Sequence, residues 1–146
     1  MPPEEPVLDF LRLMWAVDHE LQSVSKRMLI DLGLTGPQRL AVRFIGLQPG
    51  LAAGELASLL HLDPGTVTGI LRRLETARMI VRARDKADSR RVCLTLTRRG
   101  QAINRRRTGT IEFAVRRALE SVSESDVRAS RRVLKLLAEE LAGYRA

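Results

Sequence analysis

Side chains that carry chemistry are scarce in this chain of 146 residues. Its one cysteine, Cys93, excludes an internal disulfide framework and cannot by itself make a metal site. The two histidines, His19 and His61, stand far apart, and no Gly-rich phosphate loop is present. Gly65 and Gly69 do not follow a strand, so they are no dinucleotide fingerprint. With neither a nucleophile–base pair nor a metal cluster in view, the expectation is a protein that is not an enzyme and uses no cofactor or metal. Long apolar runs are also missing, and nothing approaches the roughly 18–20 residues of a membrane span. The stretch Met1-Pro2-Pro3-Glu4-Glu5 lacks the basic-then-apolar pattern of a signal peptide, so a cytoplasmic location away from membranes is expected.

Acid is scarce in one place. Residues 63–107 hold 13 basic and 4 acidic side chains, a net of +9, against +8 for the whole chain. Residues 1–62 carry 5 and 7, and residues 108–146 carry 7 and 6. A solvated surface explains a basic protein but not this concentration, which favours a nucleic-acid footprint. The basic stretch opens on Asp63-Pro64-Gly65-Thr66-Val67-Thr68-Gly69-Ile70-Leu71-Arg72-Arg73-Leu74. Asp63 suits an N-cap and Pro64 the first helical position. Val67, Ile70, Leu71 and Leu74 make one apolar stripe at helical spacing. The opposite face carries Gly65, Gly69, Arg72 and Thr76, flanked by Thr66, Thr68 and Arg73, with no acid among them. Such a face fits an anionic partner.

In chain order, a first long helix is expected from about Val7 to Leu32. Val7, Phe10, Met14, Val17, Leu21, Val24 and Met28 form a heptad-like seam, and Leu8, Leu11, Trp15 and His19 a second stripe. Two apolar faces exceed what a peripheral helix needs, so one is available to a partner subunit. His19 reads as a half-buried surface histidine. After Gly33, Thr35-Gly36-Pro37-Gln38 forms a capping box for a second helix to about Gly46, followed by a turn at Gln48-Pro49-Gly50. Leu51–Leu60 contains a short third helix, weakly capped at Ala52, and His61-Leu62 turns the chain into the Asp63–Thr76 helix. This is a helix-turn-helix, in which small Ala57 allows a close crossing. Ile80–Arg84 and Val92–Leu96 then read as strands around the charged loop Asp85–Arg91, a hairpin placed as a wing. Arg90 suits a narrow minor groove, and Asp88, two residues away, fixes its guanidinium. Thr97 caps a helix from Arg98 whose apolar positions run to Leu119, and Ser123 opens a last helix with Val127, Leu134, Leu137, Leu141 and Tyr144 as its stripe.

Several fragments now stand in order: Leu34-Thr35-x-x-Gln38, Glu55-Leu56-Ala57, Thr66-Val67-Thr68 with Arg73-Leu74-Glu75, Asp88-x-Arg90, and Leu94-Thr95-Leu96-Thr97-x-x-Gly100. At this spacing the chain resembles the MarR family of bacterial winged-helix transcription regulators. The resemblance implies a mainly α fold with a small β-hairpin wing, a winged helix-turn-helix with long N- and C-terminal dimerisation helices. Residues 34–100 would be the DNA-binding domain, and residues 1–33 and 101–146 the dimerisation helices. It further implies a homodimer on a pseudo-palindromic operator in double-stranded DNA, read here as a repressor. The DNA-binding residues would be Gly65, Thr66, Thr68, Gly69, Arg72, Arg73, Asp88, Arg90 and Arg91. A small-molecule effector pocket near Trp15 and His19 is implied as well.

The chain departs from the family pattern at Gly69, Arg72 and Arg78. Gly69 stands where relatives often carry a long, base-reading side chain; a smooth face for close approach and drift at a surface position both account for it. Arg72 replaces an acid, which removes any brace from that position to the wing. Arg78 replaces the usual glycine after the recognition helix, at a corner that favours a left-handed residue, and His61 stands where a helix-turn-helix turn often has glycine. Cys93, next but one to Arg91, reads as a structural strand cysteine ahead of a redox sensor. Two other functions share these features: a winged-helix protein-interaction module, and an architectural DNA binder blind to ligand and sequence.

Overall fold

Local signals set most of the helix ends. The computed structural model describes residues 5–145; Met1–Glu4, where no targeting pattern was read, and Ala146 lie outside them. Helix α1 (Glu5–Leu32) stops at Gly33, whose φ of 73° is open to glycine without strain. Helix α2 (Gly36–Leu47) starts on the expected capping box: Gln38 N–H donates to Thr35 Oγ1 at 3.4 Å, and Thr35 N–H donates to Gln38 Oε1 at 3.0 Å. The chain then forms β1 (Leu51–Ala52) and α3 (Ala53–Leu60), with no side-chain cap at Ala52. Helix α4 (Pro64–Thr76) is followed by β2 (Ile80–Arg84), β3 (Val92–Leu96), α5 (Arg98–Arg105), α6 (Ile111–Glu120) and α7 (Glu124–Gly143).

The chain divides into two compact units, one up to Ile111 and the other from Glu112. In the first, the apolar stripe of α4 (Val67, Ile70, Leu71, Leu74) is buried with Val42 and Ile45 of α2, Leu56 and Ala57 of α3, and Leu94 of β3. The three strands lie antiparallel in the order β1-β3-β2, with Leu51 opposite Leu94 and Ile80 opposite Leu96. In the second unit, α6 and α7 bury none of their described residues and leave Phe113, Leu119, Leu134, Leu136 and Leu141 exposed. The α1 seam behaves alike over its first turns: Val7, Phe10, Val17 and Leu21 are exposed, and only at Met28 and Leu32 does the helix bury side chains.

Two expectations need correcting. Leu51–Leu60 is expected to contain only a short helix, but Leu51–Ala52 adds a third strand to the wing sheet. Two residues are too few for alternation to register. The single helix expected from Arg98 to Leu119 breaks after Arg105. The cause lies in α2, where Arg39, 1% exposed, donates to the carbonyls of Ile103 at 2.6 Å and Arg106 at 2.5 Å. Arg43 adds a bond to Asn104 Oδ1 at 2.7 Å. Cations seated on the last carbonyls of α5 satisfy its free acceptors and suit the negative end of its dipole. Arg106 is then extended, and Gly109 turns at φ 74° before α6.

The corner between α4 and β2 is closed by Thr97, the N-cap of α5. Its Oγ1 donates to Arg78 O at 2.6 Å and accepts from Gly100 N–H at 3.1 Å, while its own N–H donates to Met79 O at 3.0 Å. Gly100 is forced by this approach, because a Cβ there would lie 2.0 Å from Met79 O. Gly100→Ala is therefore expected to lower unfolding free energy by about 1–3 kcal/mol, as overpacking against immobile backbone does. A chemical-denaturation midpoint checks this.

Candidate nucleic-acid interface

Burial of the α4 stripe turns the other side of that helix outward. Gly65, Thr66, Thr68, Gly69, Arg72, Arg73 and Thr76 are all exposed. Arg72 and Arg73 make no side-chain hydrogen bond or ion pair among the described residues. The two threonine hydroxyls have spent their protons locally: Thr66 Oγ1 donates to Asp63 Oδ1 at 2.7 Å and Thr68 Oγ1 to Pro64 O at 2.8 Å. What they offer outward is an acceptor oxygen and a methyl group. A Cβ on Gly69 would meet nothing within 4 Å, so packing does not require glycine there.

Both non-glycine corners adopt the left-handed backbone. His61 ends α3 at φ 54° and ψ 43°, its N–H bonded to Ala57 O and Ser58 O. Arg78 sits at φ 56°, with Met79 N–H donating to Leu74 O at 2.9 Å. The helix-to-strand corner thus has regular geometry without glycine, and Arg78 stays exposed.

The wing loop is built around two aspartates. Asp85 Oδ1 accepts from Ala87 N–H at 2.8 Å, and Asp85 N–H donates to Arg91 O at 2.8 Å. Asp88 Oδ1 accepts from Arg90 N–H at 3.0 Å and from its Nε at 3.3 Å, the orientation expected of this pair. Arg90 nevertheless remains 91% exposed, so most of its guanidinium faces solvent. Arg91 is engaged differently, with Nη1 2.6 Å from Glu55 Oε1 of α3 and Nε 3.6 Å from Asp85 Oδ2. Its guanidinium is pushed above the usual arginine range, by the Cys93 sulfur first and Glu55 next. Cys93 is half-buried, and its thiol donates weakly to Asp85 Oδ2 at 3.8 Å.

Sequence reasoning missed the acids that brace this wing. Arg82 Nε of β2 lies 2.5 Å from Glu75 Oε1 in the last turns of α4, tying wing to helix from a position other than Arg72. In the sequence Glu55 stands out only as part of the Glu55-Leu56-Ala57 fragment. An acid in each helix and an arginine in each strand region were the available signal, but their pairing depends on strand register. No group of three or more His, Cys, Asp or Glu side chains that could hold a metal occurs among the described residues, nor does a helix long and apolar enough to cross a membrane.

The family model for the MarR family matches residues 32–91. HTH-type transcriptional repressor Rv2887 of Mycobacterium tuberculosis is 30% identical over 125 residues, covering 86% of this chain and 90% of its own. The chain belongs to the MarR family. It is a winged-helix DNA-binding transcriptional regulator, and its family is one of regulators rather than enzymes. Two solved structures share the fold. The S. aureus MepR–DNA complex is 23% identical with a TM-score of 0.74, covering 90% of this chain and 97% of that one. The PcaV regulator from Streptomyces coelicolor, in complex with its natural ligand, is 21% identical with a TM-score of 0.71, covering 87% and 89%.

In this MarR-family chain the start of α4 depends on Asp63, whose Oδ2 accepts from Thr66 N–H at 3.0 Å. The Thr66 hydroxyl first, and its N–H second, hold the Asp63 carboxyl below its ordinary 3.8. A depressed carboxyl contributes stability above its unfolded pKa and loses it as pH falls through the folded one. The melting-temperature gap between wild type and Asp63→Ala should therefore be steady from neutral pH down to the ordinary aspartate range, then narrow below it. A gap that does not change with pH contradicts the ionised cap.

Proposed function

We propose that the chain acts as a homodimeric repressor of a pseudo-palindromic operator, released by a small ligand. The observation that carries this reading is the exposed, acid-free face of α4, flanked by a wing arginine already oriented by Asp88. In this reading α4 enters the major groove. Arg72 and Arg73 reach base edges or phosphates, with guanine O6 and N7 the natural bidentate target. Thr66 and Thr68, as acceptors with methyl groups, suit cytosine or adenine amino groups and the thymine methyl. Gly65 and Gly69 keep the helix smooth, so its backbone can lie close to the duplex. Arg90 enters the adjoining minor groove, and Arg91 and Asp88 set its position.

Residues 34–100 form the reading head in this scheme, and residues 1–33 with 101–146 the dimerisation helices. The exposed apolar side chains of α1, α6 and α7 support the assignment, since patches this extensive on a single chain mark an interaction surface. MepR was crystallised on DNA and PcaV with its natural ligand. By analogy, an effector seated near Trp15 and His19 would favour a head spacing that no longer matches the operator.

Arg90→Ala and Arg72→Ala, titrated against a duplex recovered by selection at several salt concentrations, test the roles. A lost phosphate contact should flatten the log–log salt slope by roughly one unit; a lost base contact should relax specificity at one position by about 1–3 kcal/mol. Unchanged affinity and slope in both variants would contradict the reading. Equal binding to competitor DNA would favour an architectural binder, and no binding even at low salt a protein-interaction module.

A further inference from the structure

We propose that Glu55, on α3, is a positioning residue for DNA reading: through Arg91 it sets where Arg90 meets the duplex. The proposal rests on the reading above that Arg90 enters the minor groove. Arg91 follows Arg90 directly, and its backbone closes the wing loop at both ends. Its carbonyl accepts from Asp85 N–H at 2.8 Å, and its N–H donates to Asp88 O at 3.0 Å. Its side chain reaches across from the hairpin to Glu55 Oε1 at 2.6 Å, in the first turn of α3. The Asp85 carboxylate on the other side, 3.6 Å from Nε, holds the guanidinium between two acids. One side chain therefore links the loop that carries Arg90 to the helix packed beneath α4.

The sign of the effect separates positioning from plain charge. Removing an acid from a DNA-binding head should tighten binding to any duplex, because net positive charge rises. If Glu55 works by holding Arg91, removing its charge should weaken binding to the preferred duplex while leaving random duplex unaffected or tighter.

The test uses the full chain and Glu55→Gln, measured on a selected duplex and on random duplex of equal length, with hydroxyl-radical footprinting on the first. We expect affinity for the selected duplex to fall about three- to five-fold, the scale of a half-exposed ion pair. Affinity for random duplex should not fall, and minor-groove protection at the wing positions should fade. In an Arg91→Gln background, Glu55→Gln should bring no further loss. Wild-type or tighter affinity for the selected duplex, with the footprint intact, would overturn the proposal. Arg90→Ala run alongside separates the two levels. If it loses affinity while Glu55→Gln does not, only the positioning role falls; if neither loses affinity, both readings fall.

Discussion

Burial of Val67, Ile70, Leu71 and Leu74 fixes the rotation of α4 about its own axis, and the interface follows from that rotation. Each of these side chains contributes on the order of 1.5–3 kcal/mol when fully buried. All four lie in one cluster with α2, α3 and β3. Turning the helix by one residue would rotate the stripe by about 100° and drive polar or charged side chains toward Leu56 and Ile45. The outward face is therefore set by the inward one. Its small, hydroxyl and guanidinium groups need no fold-level cause, and Gly69, which packs against nothing, has none.

Around that helix, polar contacts do what the small core cannot. Arg39 seats α5 by a C-terminal carbonyl and Arg43 by the Asn104 side chain, and Thr97 locks the start of the same helix to the backbone of Arg78 and Met79. Because β3 runs directly into Thr97, these contacts reach the wing. Glu75–Arg82 and Glu55–Arg91 add ties from α4 and α3 to the wing. Taken singly, half-exposed pairs contribute little stability. In the proposed reading their value lies in direction, since each joins α3 or α4 to the wing and would limit the angles at which Arg90 is presented.

Much of this was legible in the sequence because it is periodic or local. The α4 stripe, the Thr35–Gln38 box, the Asp63 and Thr97 caps and the Asp88–Arg90 pair all depend on residues within seven positions of one another. What escaped depends on partners far along the chain. The break after Arg105 comes from Arg39, which reaches Ile103, 64 residues along the chain from it. Strand β1 is two residues long and exists only through β3. The Arg91–Glu55 pair joins residues that only the fold brings together. His61 and Arg78 were departures from a glycine pattern, yet both take the left-handed backbone, so the turn was predictable and the residue filling it was not.

The terminal helices leave the account with a physical demand: the apolar faces of α1, α6 and α7 must meet something. In the proposed homodimer a second copy would satisfy that demand and also set two reading heads at a fixed separation, which would tie assembly to recognition. Selection of bound duplexes from a random pool, with the stoichiometry of the recovered complex, tests this link most directly. The account predicts two copies on an inverted repeat whose half-sites lie about 10–10.5 base pairs apart, or a multiple of that. A single copy bound without sequence preference would contradict it.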